Sequence, residues 1–152
     1  MSIIFKTRPS LAATLAVYIL APLALNGIIF TLGWQGSAPK NPMLPPGWVI
    51  GLIWMLLFTG MGIARWILTR GLNPRVARWV DGLALLCLAY PLYTLGLRSI
   101  GIGLAGAIVT ALLAFALTAR VWRESRTASL LIACVALWTL YAETALASGL
   151  HR

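Results

Sequence analysis

Charged residues are scarce in this chain. Only 10% of its 152 residues are charged and three of those are acidic, whereas globular domains average about 25% charged residues. Hydrophobic residues make up 61% of the sequence, so a water-soluble fold of this length would expose much of its apolar surface. The composition excludes an ordinary soluble domain and indicates a protein whose outer surface faces lipid.

Metal ligands and catalytic groups are equally sparse. The chain has two cysteines, Cys87 and Cys134, and a single histidine, His151. These fall short of the four ligands of a structural zinc site, and both cysteines lie in apolar stretches, as small buried hydrophobic residues do. There is no Ser–His–Asp or Cys–His set and no pair of carboxylates. The sequence therefore predicts no metal site, no required cofactor and no conventional acid–base catalysis.

Five long apolar stretches alternate with short polar segments. A transmembrane helix needs about 20 mostly apolar residues, and the predicted spans are 11–34, 46–68, 79–97, 99–119 and 127–150. Lys6 and Arg8 precede the first stretch, but it is longer than the apolar region of a signal peptide and no A-x-A cleavage site follows. The predicted fold is an all-α membrane protein, a five-transmembrane-helix bundle forming one domain over residues 1–152.

The net charge of +9 comes from basic residues placed between the apolar stretches. Nine of the twelve lysines and arginines would lie on one side of the membrane, and the other three are Lys40, Arg98 and Arg152. The positive-inside rule then predicts a cytoplasmic N-terminus and a C-terminus on the opposite side. Because the basic residues form no tract, they favour contact with lipid headgroups over binding of nucleic acid.

Two glycine- and proline-rich segments have competing interpretations. Gly101, Gly103 and Gly106 match a dinucleotide-binding pattern, but that site needs a preceding strand and a later acidic residue. Close packing of membrane helices explains these glycines better. The loop 35–46 contains four prolines and lies on the predicted outer side. It is either a lid over a ligand-binding site or only a stop and start signal for the flanking helices.

Two of the seven tryptophans, Trp54 and Trp138, lie deep within predicted spans. Helical periodicity gives each of them neighbours on its own face: Phe58 and Met61 for Trp54, and Tyr141, Ala142 and Ala145 for Trp138. A large ring beside alanines either leaves room for a flat aromatic ligand or admits a neighbouring helix closely. The pattern alone leaves both alternatives open.

Several polar or helix-breaking residues lie inside the spans. Pro22 and Pro91 each remove a backbone hydrogen bond and are expected to kink their helices. Tyr90 and Tyr93 flank Pro91 and are candidates to line the resulting cavity, and Asn26 needs a partner within the bundle.

Glu143 is the one carboxyl well inside a span. A carboxyl at this depth indicates a functional role, and we expect an interhelical hydrogen bond in preference to a proton relay. It lies about 140° around the helix from Trp138 and is not expected to line the same pocket.

The motifs around the deep tryptophans resemble those of the TspO/MBR family, the translocator or tryptophan-rich sensory proteins, called peripheral benzodiazepine receptors in mitochondria. Pro45-Pro46 is followed by Trp48, Trp54, Phe58 and a Met-Gly-Ile-Ala ending at the family's spacing. The last predicted span contains Trp138-Thr-Leu-Tyr141-Ala142, which is similar to the family's W-x-x-[YF]-A. Length, span number and the proline-rich first loop agree with the family over essentially the whole chain.

The chain also departs from the family pattern. In the third span, where the family commonly has Gln, Asn and Trp, this sequence has Leu86, Tyr90 and Tyr93. After the W-x-x-[YF]-A motif the family usually has Leu-Asn, where this chain has Ala145 and Leu146. These differences, together with the predominance of arginine over lysine, suggest a divergent bacterial member.

The resemblance implies a five-helix bundle, often a homodimer, that binds porphyrins such as protoporphyrin IX and haem, sterols and synthetic aromatic drugs. Motif positions carry over the ligand-binding residues Trp54, Phe58, Tyr93, Trp138, Ala142 and Ala145. Asn26, Tyr90 and Tyr141, from their polarity and their positions in the spans, are further candidates to line the pocket or to act as polar partners. The leading hypothesis is a membrane receptor or sensor that requires no cofactor and has a tetrapyrrole as its ligand. The alternatives are light- and oxygen-dependent porphyrin degradation, transport of a hydrophobic ligand, and assembly with other membrane proteins.

Overall fold

A computed structural model describes residues 10–34, 43–92 and 100–149 of the chain. Within them the protein is all-helical, as predicted. Its five helices are α1 (Leu11–Thr31), α2 (Gly47–Ile67), α3 (Pro74–Pro91), α4 (Ile100–Trp122) and α5 (Arg126–Gly149). A π-helical turn, Leu68–Leu72, continues α2.

Four described segments are long and apolar enough to cross a membrane. They are Leu11–Thr31, Gly47–Arg70, Gly101–Trp122 and Arg126–Ala145. The remaining predicted span, 79–97, is not confirmed as a fifth membrane-spanning helix. Helix α3 begins earlier, at Pro74, and its first turns contain Arg75, Arg78 and Asp81; the end of the predicted span, residues 93–97, lies outside the described residues.

Local capping explains where α3 begins. The Asn73 side chain accepts hydrogen bonds from the backbone N–H groups of Arg75 and Val76, at 3.2 and 3.3 Å. Pro74 occupies the first helical position, where its missing N–H costs nothing. The Asn73 backbone N–H also closes the π-helical turn by donating to the carbonyl of Leu68 at 3.1 Å. An Asn-Pro start signal therefore sets this boundary.

The helices follow the order α1–α2–α5–α4–α3 around the bundle, and α3 also contacts α1. The most extensive pairing joins α4 to α5, whereas α2 contacts α1, α3 and α5. The core contains small and large apolar residues from α2 to α5, among them Met61, Val80, Ala114 and Ile132, none of them exposed to solvent. Large apolar side chains also cover the outside, as lipid-facing helices require; Leu56 is 72% exposed.

The two turns rich in arginine lie at the same end of the bundle. Asn73, between α2 and α3, donates from Nδ2 to Oε1 of Glu124 at 3.1 Å. Glu124 follows α4 and is also paired with Arg120 at 2.7 Å. Because these turns contain most of the basic residues assigned to the cytoplasmic side, their common position agrees with the predicted charge asymmetry. The orientation in the membrane stays a prediction.

Candidate ligand site between helices α2 and α5

The α2 side of the site is an aromatic pair. The ring centroids of Trp54 and Phe58 lie 6.0 Å apart with an interplanar angle of 43°. Phe58 is only 3% exposed, and Trp54 is partly buried against the same core. The spacing of four residues places both rings on one helical face, and Met61 continues that face into the core. The predicted placement of Trp54, Phe58 and Met61 on one helical face is therefore confirmed, whereas their role in ligand binding stays a prediction.

The α5 side is a second aromatic pair. Trp138 and Tyr141 have ring centroids 5.5 Å apart and an interplanar angle of 35°. Trp138 is partly buried against the core, and its Nε1 atom is buried with no hydrogen-bond partner among the described residues. A buried donor without an acceptor costs about 1–3 kcal/mol. The small residues of this face are also interior, since Ala145 is fully buried and Ala142 is partly buried.

The two tryptophans lie at about the same level of the bundle. Helices α2 and α5 run antiparallel and come close at Gly60, where an added Cβ would lie 3.5 Å from Leu131 Cδ2. Trp54 precedes Gly60 by six residues and Trp138 follows Leu131 by seven. At a rise of 1.5 Å per residue both tryptophans are therefore about 9–10.5 Å from this close approach, in the same direction. Both aromatic pairs thus lie at one level of two helices that are in contact, and we call them the aromatic layer.

The segment that leads into α2 is hydrogen-bonded through Met43 to the C-terminal half of α5. The Tyr141 hydroxyl donates a hydrogen bond to the backbone carbonyl of Met43. The Ser148 hydroxyl donates to the Met43 sulfur at 3.1 Å. Residues 35–42 of the same loop lie outside the described residues. The described end of the proline-rich loop is therefore held against the aromatic face of α5.

The remaining residues that were predicted to be functional differ in their burial. Tyr90 is partly buried near the end of α3, whereas Tyr93 lies outside the described residues. Asn26 is exposed on α1, so the structure does not bring it into the bundle interior. Glu143 is partly buried, and its buried Oε1 has no hydrogen-bond partner within the described part of the chain. The interhelical hydrogen bond expected of Glu143 is thus not found there.

Sequence reasoning missed two residues on the buried face of α3. Leu83 is fully buried and Cys87 is 3% exposed, whereas Leu86 is only partly buried. The spacing of four and then three residues from Leu86 to Tyr90 and Tyr93 also occurs three residues earlier, at Leu83, Cys87 and Tyr90. The spacing from Val76 to Cys87 was the available signal.

Known protein families provide an independent comparison. The model of the TspO/MBR family matches residues 10–150. None of the curated proteins compared with the chain matches it. The family match covers both aromatic pairs and all five helices. Among the described residues, no group of three or more His, Cys, Asp or Glu side chains is placed to hold a metal ion.

Proposed function

The chain belongs to the TspO/MBR family, and from this premise we propose that it is a membrane receptor or sensor for a flat hydrophobic ligand. The ligand class is a tetrapyrrole such as protoporphyrin IX or haem, and it binds between α2 and α5. The residues that contact it are Trp54 and Phe58 on α2 and Trp138, Ala142 and Ala145 on α5.

The observation that supports this proposal most strongly is the layer formed by the two aromatic pairs. Flat aromatic ligands gain stability by stacking on aromatic side chains, beyond the effect of apolar burial. Trp54 and Trp138 offer such rings at the same level of two helices in contact. Because Ala142 and Ala145 have small side chains, they leave more room beside Trp138 for a ligand than larger residues would.

The buried indole N–H of Trp138 supports a ligand with a polar edge. This donor lacks an acceptor among the described residues, and an unpaired buried donor costs free energy. A ring nitrogen or carboxylate of a tetrapyrrole can accept its hydrogen bond. Binding would then remove the cost of an unpaired donor, which a purely hydrocarbon ligand would not do.

The contact between Tyr141 and Met43 supports a closing role for the proline-rich loop. Proline reduces the conformational freedom of a loop, so little entropy is lost when the loop is held over a ligand. In this proposal the described end of the loop, residues 43–46, closes the outer side of the layer, and the N-terminus is cytoplasmic. The exposed apolar surface contacts the bilayer, and a homodimer would bury part of it.

The proposal is tested by titrating the purified protein with protoporphyrin IX while following tryptophan fluorescence. We expect saturable quenching by protoporphyrin IX in the unaltered protein. In Trp138→Ala we expect the affinity for protoporphyrin IX to be at least about tenfold lower. Trp79→Phe is the matched control, since Trp79 is 60% exposed on α3 and lies outside the aromatic layer. Quenching that does not saturate, or that both variants change equally, would count against the proposal.

A further inference from the structure

Three polar side chains, Tyr18, Arg65 and Asp81, form a hydrogen-bonded cluster near the arginine-rich end of the bundle, where α1, α2 and α3 meet. The Tyr18 hydroxyl of α1 donates to Oδ1 of Asp81 in α3 at 2.7 Å. The Arg65 side chain of α2 donates to the same oxygen from Nε at 2.6 Å. One carboxylate oxygen thus joins three helices, within a chain that has only three acidic residues.

A glycine permits this arrangement. At Gly62 of α2, an added Cβ would lie 3.2 Å from both Cβ and Cγ of Tyr18. That separation is tighter than ordinary van der Waals contact. Because glycine has no Cβ, Gly62 lets α1 approach α2 closely. Gly62 lies one helical turn from Arg65. The close approach therefore brings Tyr18 to the Arg65–Asp81 pair.

The pair lines an open cleft of about 320 Å³, at the lower end of the size range of small-molecule sites. Its walls consist of Ala13, Thr14, Val17, Tyr18, Arg65 and Asp81. Val17 is 65% exposed, so the cleft opens on the outside of the bundle. Helix α1 has 21 residues, a length of about 31 Å that matches the hydrocarbon core of a bilayer. The cleft residues of α1 lie within about 11 Å of its first residue, so a lipid headgroup at this end of the helix is within reach of the cleft.

Both charged side chains keep unused hydrogen-bonding capacity. Arg65 bonds through Nε alone, and its two terminal nitrogens have no partner among the described residues. Both bonds to Asp81 end at Oδ1, so Oδ2 accepts none from the part of the chain that the structure describes. The cleft therefore presents a cationic donor and an anionic acceptor side by side.

We propose that this cleft binds the headgroup of a phospholipid that carries a primary ammonium, an ethanolamine-type lipid. The lipid phosphate accepts hydrogen bonds from the terminal nitrogens of Arg65, and the ammonium donates to Oδ2 of Asp81. The acyl chains leave the cleft past Val17 into the bilayer. Because no residue of α5 lines the cleft, this site is separate from the aromatic layer.

Charge complementarity favours this headgroup over two others. Asp81 already offsets the charge of Arg65, which weakens attraction for a net-anionic headgroup such as phosphoglycerol. A choline headgroup has the right net charge, but its quaternary ammonium has no N–H to donate to Asp81. Of these three headgroups, ethanolamine alone satisfies both members of the pair with charge-assisted hydrogen bonds.

Native mass spectrometry of the full chain tests the proposal. The protein is offered equal amounts of phosphatidylethanolamine, phosphatidylcholine and phosphatidylglycerol with identical acyl chains. We expect the ethanolamine lipid to be retained at least about tenfold more than the other two, as one additional charge-assisted hydrogen bond predicts. Asp81→Asn should abolish the preference over choline, and Arg65→Gln should reduce retention of all three lipids.

Arg78→Gln is the matched control, since Arg78 is exposed near the same end but does not line the cleft. This variant, and Trp138→Ala, should keep the preference of the unaltered protein. Equal retention of ethanolamine and choline lipids, or preferred retention of phosphatidylglycerol, would overturn the proposal. The comparison of lipids on the unaltered protein does not depend on the folding of any variant.

Discussion

The Tyr141 hydroxyl of α5 donates a hydrogen bond to the backbone carbonyl of Met43, at the end of the loop that precedes α2. The two residues are 98 positions apart in the chain. Tyr141 also forms the aromatic pair with Trp138. One side chain therefore contributes to the aromatic layer and holds the loop beside it.

Removing that hydroxyl should speed release of the ligand. Tyr141→Phe keeps the ring but removes the hydrogen bond to the Met43 carbonyl, so we expect protoporphyrin IX to dissociate roughly two- to tenfold faster. Stopped-flow fluorescence after dilution measures this rate. Tyr18→Phe, which removes a hydroxyl at the other end of the bundle, should leave the rate unchanged. Equal rates in all three proteins would contradict a closing role for the loop.

The indole N–H of Trp138 should matter for binding but not for stability. Trp138→Phe preserves an aromatic ring and removes a buried donor that has no partner among the described residues. We expect the affinity for protoporphyrin IX to fall by roughly tenfold, whereas the melting temperature of the ligand-free protein stays equal or rises. A destabilised variant with unchanged affinity would show that Nε1 pairs within the protein instead.

Two glycines of α2 should respond differently to alanine. At Gly62 the added Cβ would lie 3.2 Å from Tyr18, and such overpacking costs about 1–3 kcal/mol of the free energy of unfolding. At Gly60 the nearest atom, Leu131 Cδ2, is 3.5 Å away, an ordinary contact, and alanine favours the helix by about 0.5–1 kcal/mol. Thermal unfolding in detergent should therefore rank Gly60→Ala above Gly62→Ala. The reverse order would contradict the close approach of α1 to α2.

The cysteines should differ in their reaction with a membrane-permeant maleimide. Cys87 is 3% exposed on the inner face of α3, whereas Cys134 is exposed on α5. In the folded protein in detergent we expect Cys134 to react faster than Cys87, the faster adduct to be lost in Cys134→Ala, and two labelled sites after denaturation. Mass spectrometry counts the adducts. Fast labelling of Cys87 would mean that α3 presents a different face to the bundle.

Features encoded by neighbouring residues could be predicted from the sequence. Long apolar runs predicted α1, α2, α4 and α5, and the spacing of Trp54 and Phe58 predicted their shared face. The predicted third span begins at residue 79, five residues after α3 begins at Pro74, because the first turns of α3 are polar and its start is signalled by Asn73–Pro74 and not by hydrophobicity.

Contacts between distant residues could not be predicted in this way. Asp81 pairs with Tyr18, 63 positions away, and no local pattern predicts that contact. The same holds for the Met43–Tyr141 bond and for the unpaired Trp138 Nε1. Each depends on how the helices pack around one another, which a single sequence leaves open.

The most direct test of the ligand site is the absorbance shift of protoporphyrin IX on binding, because this signal does not require any tryptophan as the reporter. The Trp54→Ala/Trp138→Ala protein should lose affinity on the order of 100-fold relative to unaltered protein, since two stacking surfaces are removed. The Trp79→Ala/Trp122→Ala protein, changed at two exposed tryptophans, should bind as the unaltered protein does. Equal affinity in the two double variants would contradict binding between α2 and α5.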